Sequence, residues 1–164
     1  MNRAVPGSRG LPGDGLWSDS PGEPILALAA DCLSVAIARA NGARPALTVL
    51  HAGWKGLLEG IVEEGVRVLD GSGLQAMIGP AIGPCCYEVG PEVAEVFSTR
   101  FGSGLMHGKN LDLWSAGERA LRAAGVERID RVDLCTQCNP DLFFSERRQG
   151  KPRGTHGVIG LVAS

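Results

Sequence analysis

Two residues that can bind a metal ion, His51 and Cys32, lie directly after one apolar run and within another. His51 follows the apolar run from Ala46 to Leu50 and opens the stretch His-Ala-Gly-Trp-Lys-Gly. Cys32 lies in the stretch Ala-Asp-Cys-Leu, inside the apolar run from Ile25 to Ala40. Apolar runs of this kind are typical of buried strands, and open α/β sheets bind ligands at strand ends. Because thiolate and imidazole both suit zinc, the pair predicts a shared metal ion.

The same side chains also have a purely structural interpretation. A buried cysteine packs as a small hydrophobic residue, and a histidine at a strand end can bond to a backbone carbonyl. Lys55 adds a cation after His51, and Gly53 and Gly56 let the backbone turn there and approach a ligand. Spacing alone leaves the metal site and the structural interpretation both open.

Four further cysteines fall into two pairs. Cys85 and Cys86 are adjacent, and Cys135 and Cys138 have the Cys-x-x-Cys spacing of half a zinc ribbon. Adjacent cysteines make poor paired ligands, and ribbon sites use two separated pairs. We therefore interpret the four as structural thiols, neither a disulfide framework nor a metal site. The total of five cysteines is odd, and without a secretion signal we expect reduced thiols and a cytoplasmic protein.

A basic cluster near the C terminus offers further cations. Its members are Arg147, Arg148, Lys151 and Arg153. Arginine can bind phosphate because it presents a fork of donors to an oxyanion, although a solvated surface loop explains the same residues. His107 and His156 are lone histidines in predicted loops, and we interpret both as surface residues.

The composition indicates one globular domain. The chain has 164 residues, of which 44% are hydrophobic and 21% are charged. A net charge of −2 and the absence of a long basic run argue against a general nucleic-acid binder. The longest apolar run is interrupted by Asp31 and Ser34, so we expect no membrane span.

Strand and helix patterns alternate along the chain and predict an α/β fold. Apolar runs predict strands at 25–30, 33–38, 46–51, 74–78, 129–134 and 158–162. Helical spacing predicts helices from near Leu57 to Gly71, from Pro91 to Gly102, and from an N-cap at Asp112 through Ala124. Asn41-Gly42 predicts a hairpin turn. Residues 1–22 are rich in Gly, Pro and Ser and predict an irregular segment before a single domain at 23–164.

Several blocks of the sequence together resemble the laccase-domain family, also called the multicopper polyphenol oxidase family. The blocks are Ala30-Asp31-Cys32, His51 to Gly56, Ile78 to Gly90, Cys135-Thr136, Asn139 to Ser145, and Arg147-Arg148. The resemblance runs from about Gly13 to the C terminus. It implies a layered sandwich of mixed β-sheets flanked by helices, resembling the fold of cytotoxic necrotizing factor toxins.

The resemblance also implies an activity and a metal. Family members are described as zinc-dependent purine nucleoside phosphorylases with adenosine deaminase and methylthioadenosine phosphorylase side activities, so purine nucleosides and phosphate are the implied substrates. The family's metal site uses three protein ligands, of which the Cys of Ala-Asp-Cys and the His of His-Ala-Gly-Trp match Cys32 and His51. The third, the His of a Gln-Val-His-Gly stretch, has no match here. A second departure is Thr155-His156-Gly157, where members usually have Thr-Gly-Arg.

These departures lead us to expect a member that is shortened at its N terminus, binds zinc weakly and shows little or no phosphorolysis, with His107 or His156 as the alternative third ligand. On this interpretation Lys55 or Arg148 faces the phosphate, and Glu88 orients ribose hydroxyls or acts as a general acid or base. A copper-dependent polyphenol oxidase is a second hypothesis, although multicopper chemistry favours more histidines than the three present. A third hypothesis is an inactive shortened domain or a partner subunit.

Overall fold

A computed structural model describes residues 1–4, 10–39 and 44–163. The strands are β1 (Asn2–Arg3), β2 (Gly15–Ser18), β3 (Ile25–Ala29), β4 (Leu33–Arg39), β5 (Ala46–Ala52), β6 (Leu74–Ile78), β7 (Met106–His107), β8 (Asn110–Leu111), β9 (Arg128–Arg131) and β10 (His156–Gly160). The helices are α1 (Trp54–Leu58), α2 (Ile61–Leu69), α3 (Pro91–Phe101), α4 (Leu113–Ala123) and α5 (Glu146–Gln149).

Six strands form one mixed sheet in the order β1-β2-β5-β4-β6-β9. The central pairs are antiparallel, and the outer pairs β1–β2 and β6–β9 are parallel. Strands β3 and β10 form a separate antiparallel pair, and β7 pairs with β8. This mixed α/β architecture confirms the predicted fold class.

Strands β4 and β5 are covered on both faces, which explains their continuous apolar sequences. On one face their side chains pack with residues from the helices, such as Leu57, Val62 and Trp114. On the other face, Leu47 and Val49 pack in a second cluster with residues of β3 and β10. The β3–β10 pair therefore lies as an extra layer against the main sheet, and its own alternation leaves every second side chain of β3 exposed.

Most elements agree with the sequence prediction within a few residues, because their hydrophobic periodicity is strong. The antiparallel β4–β5 pair agrees with the predicted hairpin, although its Asn41-Gly42 turn lies outside the described residues. Asp112 caps α4 as predicted, since its carboxylate accepts a hydrogen bond from the Ser115 N–H at 2.9 Å. No helix in the described ranges has both the length and the apolar character needed to cross a membrane.

The prediction that residues 1–22 are irregular is wrong for β1 and β2. Strand β2 pairs with β5 over four positions, from Gly15 opposite Leu50 to Ser18 opposite Leu47. Without β2, the edge of β5 would have unpaired backbone N–H and C=O groups. Four residues in a Gly-rich context are enough to pair with them. The assignment of 23–164 as one domain stays a prediction.

The helix predicted after His51 is two helices. Gly60 separates α1 from α2 and has a left-handed backbone with φ 85°. The apolar spacing continues across this break, so periodicity alone does not reveal it.

We expect Gly60→Ala to lower the free energy of unfolding by about 1–2 kcal/mol, because a Cβ disfavours the left-handed conformation. Gly56→Ala is the matched control: a Cβ there would lie 3.5 Å from Ile61 Cγ2, an ordinary contact, and alanine favours a helix interior. Urea unfolding of both variants measures the difference. Equal stability of the two variants would contradict the break at Gly60.

Candidate active site

Asp31 is a buried carboxylate in the turn between β3 and β4, and it joins three parts of the fold. It is 8% exposed, and its backbone is left-handed with φ 87°. Its Oδ1 accepts a hydrogen bond from Thr136 Oγ1 at 2.6 Å. Its Oδ2 accepts bonds from Ser145 Oγ at 3.1 Å and from the Arg147 backbone N–H at 2.7 Å. The turn that carries Cys32 is therefore fixed to the loop after β9 and to α5.

Cys32 and His51 lie side by side at one end of the main sheet. Leu33 pairs with Ala52 in the β4–β5 ladder, which places Cys32 close to Gly53. A Cβ on Gly53 would lie 3.0 Å from Cys32 Sγ, a tight contact that the absence of a side chain at Gly53 avoids. Both metal-type side chains line one cavity of about 460 Å³, and their role as metal ligands stays a prediction.

The Asp14 carboxylate leaves one ring nitrogen of His51 for a metal ion. Hydrogen bonding to Cys32 raises the pKa of His51 to about 9, while burial opposes this change and a hydrogen bond to Asp14 adds to it. The ring must therefore give up a proton before it can bind a metal ion. His51 Nδ1 lies 3.0 Å from Asp14 Oδ1, so Nε2 is the nitrogen left for a metal. A carboxylate on the second ring nitrogen is the usual way in which a protein orients a histidine ligand.

Asp14 is a functional candidate that the sequence does not reveal. Its backbone carbonyl also accepts a hydrogen bond from the His51 N–H at 2.8 Å, directly before β2 pairs with β5. Because β2 has no clear strand pattern, nothing in the sequence places Asp14 beside His51.

The donors Cys32 and His51 fit zinc in chemical type, since zinc is commonly bound by thiolate and imidazole. They are two donors, however, and a catalytic zinc ordinarily has three protein ligands. Within the described ranges, the one place where three or more His, Cys, Asp or Glu side chains converge is the cluster of the four other cysteines.

An aromatic ring and a guanidinium also line this cavity, on Tyr87 and Arg147. The Arg147 guanidinium carbon lies 5.5 Å from the centre of the Tyr87 ring, and both of its Nη atoms donate to the Glu88 carbonyl at 3.1 Å. Burial raises the pKa of Tyr87 to about 12, so its phenol is protonated near neutral pH. Both residues belong to sequence blocks of the family resemblance, but the sequence analysis assigned neither of them an individual role in the site.

Two of the predicted cations lie elsewhere. Lys55 is exposed, and its Nζ packs 5.4 Å from the centre of the Trp54 ring. Arg148 donates to three backbone carbonyls, those of Thr136 and Gln137 at 2.9 Å and of Phe143 at 2.7 Å. Neither lines the cavity of Cys32 and His51, so their phosphate-facing role stays a prediction, and Arg147 is the better placed arginine.

Glu88 points away from the two metal-type ligands. Its carboxylate is exposed, lies 4.0 Å from Lys109 Nζ, and borders a separate cavity of about 750 Å³. Only the backbone carbonyl of Glu88 is tied to the first cavity, through Arg147. Its role as a general acid or base stays a prediction.

The two lone histidines lie in strands, so their prediction as loop residues is wrong. His107 in β7 is exposed, and its Nε2 lies 4.0 Å from Asp112 Oδ2. His156 in β10 is half-buried, and its ring contacts Phe143 edge-on with centres 5.4 Å apart; burial lowers the pKa of His156. Neither converges with Cys32 and His51 as a third ligand.

The remaining four cysteines form one cluster, whereas the sequence predicts structural thiols that form neither a disulfide framework nor a metal site. Their sulfur atoms all lie within 4.8 Å of one another. None of the five cysteines forms a disulfide. The cluster is a second place where the described residues have the donors for a metal ion.

Comparison with known proteins gives a consistent family match. The family model described as "Multi-copper polyphenol oxidoreductase laccase" matches residues 3–162. The chain is 36% identical over 157 residues to "Purine nucleoside phosphorylase YfiH" of Escherichia coli strain K12, covering 91% of this chain and 64% of that protein. It is 32% identical over 166 residues to human "Purine nucleoside phosphorylase LACC1", covering 92% of this chain and 38% of that protein.

Solved structures have the same fold. YlmD from Geobacillus stearothermophilus superposes with a TM-score of 0.80 at 29% identity, covering 96% of this chain and 66% of that one. Neisseria meningitidis protein NMB0706 gives a TM-score of 0.79 at 30% identity, covering 90% of this chain and 64% of that one. The chain thus spans less than two-thirds of the length of the curated relatives named above.

We expect Asp31→Asn to lower the free energy of unfolding by about 2–3 kcal/mol, because either amide orientation turns an N–H₂ group towards a buried donor. The exposed Asp141→Asn is the matched control and should change stability by less than about 0.5 kcal/mol. Chemical unfolding measures both. A stable Asp31→Asn variant would show that the three hydrogen bonds do not hold these loops together.

Proposed function

Since the chain belongs to the multi-copper polyphenol oxidoreductase laccase family, we propose that it is a zinc-dependent enzyme that cleaves purine nucleosides with phosphate. One observation carries the proposal: Cys32 and His51 share a cavity with the ring of Tyr87 and the guanidinium of Arg147. The names of the relatives, purine nucleoside phosphorylases, support the reaction class.

Phosphorolysis needs a fixed cation beside the attacking phosphate. Arg147 suits this role because its backbone is held by Asp31 and its guanidinium by the Glu88 carbonyl. Because these contacts already order the Arg147 side chain, it loses less conformational entropy when a ligand binds. Arginine also pairs with phosphate through two donors. Arg153 lines the same cavity but is already paired with Glu146 at 2.7 Å.

The leaving purine needs a flat apolar surface and a hydrogen-bond partner. The half-buried Tyr87 offers both, since its ring provides a face and its protonated hydroxyl can donate or accept. We assign the purine to the Tyr87 side of the cavity and the phosphate to the Arg147 side.

Zinc held by Cys32 and His51 would supply Lewis-acid chemistry that polarises an oxygen of the phosphate or the substrate. The protein's part is to orient the ligands: Asp14 holds the His51 ring, and Gly53 lets Cys32 approach. Deamination of adenosine and cleavage of methylthioadenosine, the side activities implied by the family, belong to the same proposal because they use related substrates.

Copper oxidation is the weaker alternative. Cu(II) sites favour nitrogen and oxygen donors in a tetragonal arrangement. In the described ranges, the residues around His51 bring one imidazole and one thiol together, and His107 and His156 lie apart from them.

Because the site has two protein donors, we expect the 164-residue chain to release hypoxanthine from inosine slowly, and only when phosphate and zinc are both present. Cys32→Ala and His51→Ala should abolish this turnover, and Asp14→Asn should weaken zinc binding at this site by about 10–100-fold. The number of zinc ions bound per chain and their affinity are measured by competition with a chromophoric chelator, and each alanine variant should bind one zinc fewer than the unaltered chain. An unchanged number of bound zinc ions in both alanine variants would end the assignment of the site, and absence of turnover in the unaltered chain would favour the inactive domain.

Arg147→Ala should raise KM for phosphate by about 10–100-fold, because a charged hydrogen bond is worth about 1.5–3 kcal/mol. Arg128→Ala is the control, since Arg128 is an exposed arginine that pairs with Asp130 on β9. Arg148→Ala should instead lower the unfolding temperature, because it removes three bonds to backbone carbonyls. A raised KM in a folded Arg148 variant, with none in the Arg147 variant, would reverse our assignment.

A further inference from the structure

The four cysteines outside the first cavity have the spacing of a metal-ligand set. Cys138 Sγ lies 3.6 Å from Cys85 Sγ and 3.4 Å from Cys86 Sγ, and all four sulfurs lie within 4.8 Å of one another. A tetrahedral site with Zn–S bonds of about 2.3 Å separates its sulfurs by roughly 3.8 Å. A disulfide would need about 2.05 Å between two of them.

A turn explains how adjacent cysteines can serve one site. In a strand, neighbouring side chains point to opposite faces, which is why the sequence argued against the pair. Here the Cys86 and Tyr87 N–H groups both donate to the Gly83 carbonyl at 2.9 Å. The resulting turn brings the sulfurs of Cys85 and Cys86 to the same side of the loop, against Cys138.

The loop after β9, which carries Cys135 and Cys138, is also held in place by hydrogen bonds that do not involve the other cysteines. The Thr136 N–H donates to the Ala81 carbonyl at 3.1 Å, and Asn139 Nδ2 donates to the Cys135 carbonyl at 2.8 Å. The Gly83 N–H donates to Cys135 Sγ at 3.3 Å. Donors directed at a ligand atom are typical of the groups that surround metal sites and orient their ligands.

We propose that Cys85, Cys86, Cys135 and Cys138 bind one zinc ion at a structural site. Four thiolates complete a tetrahedral shell and leave no open position, which is the pattern of structural rather than catalytic zinc. Cys85 and Cys138 are exposed, so the ion has a route in. None of the four lines the cavity of Cys32 and His51, so this site does not depend on the proposed function.

The site would link the two loops that reach the first cavity. Cys86 directly precedes Tyr87, and Cys135 directly precedes Thr136, which donates to Asp31. Zinc at the four cysteines would thereby stiffen the loop that carries the Tyr87 ring and the loop whose Thr136 bonds to the β3–β4 turn. The zinc would in this way help to maintain the shape of the cavity of Cys32 and His51.

The double variant Cys32→Ser/His51→Ala removes the donors of the first site and isolates the second. After expression with zinc and dialysis, it should retain about one zinc per chain by elemental analysis, with a sulfur-only shell at about 2.3 Å in X-ray absorption spectra. Loss of the zinc, or a shell containing nitrogen or oxygen ligands, would overturn the proposal. A mass two hydrogens lower per cysteine pair, found with no zinc, would show disulfides and overturn it too.

Cys138→Ser removes the sulfur that lies 3.6 Å from Cys85 Sγ and 3.4 Å from Cys86 Sγ, and it should abolish zinc retention in the Cys32→Ser/His51→Ala background. Zinc should then no longer raise the unfolding temperature, since a ligand stabilises only the state that binds it. Cys32→Ser alone is the matched control and should keep the sulfur-only zinc. Retention of that zinc in Cys138→Ser would refute the assignment. If the Cys138→Ser variant does not fold, the X-ray absorption spectrum of the Cys32→Ser/His51→Ala protein still tests whether four sulfurs bind the zinc.

Discussion

The arrangement of the candidate active site depends on the hydrogen bonds that the buried carboxylate of Asp31 accepts. A charged group that is 8% exposed is stable only when donors surround it, and Asp31 receives three hydrogen bonds from residues more than 100 positions later in the chain. Those bonds join the turn that carries Cys32, the loop that carries Cys135 and Cys138, and the first turn of α5. Cys32 and Arg147 share one cavity because the same carboxylate positions both.

The two groups of metal-type donors differ in the way that distinguishes catalytic from structural sites. Cys32 and His51 would leave two of the four positions around a zinc ion free and border a cavity, which suits an ion that must also contact substrate. The four other cysteines form a full set of thiols in a pair of hydrogen-bonded loops. On our proposals, one ion takes part in the reaction and the other holds the loops beside it.

Local pattern was enough to predict the central architecture. The apolar runs of β4 and β5 reflect burial on both faces, and the helical spacing in α3 and α4 comes with a proline, glycines and the Asp112 cap at the expected ends. The failures occur where local pattern is weak or misleading. Strand β2 is recruited by the free edge of β5, and Gly60 interrupts a helix whose apolar spacing continues across it.

The sequence by itself determined the fold class and the family resemblance, and it singled out Cys32 and His51 as candidate ligands, because these depend on periodicity and on short motifs. Tertiary structure decided which other side chains lie near these candidates. It places Arg147 and not its neighbour Arg148 in the lining of the cavity, brings Asp14 to the ring of His51, and gathers four cysteines from two loops. The physical reason is that these contacts join residues from 37 to more than 100 positions apart, and no local spacing encodes which distant loops will meet.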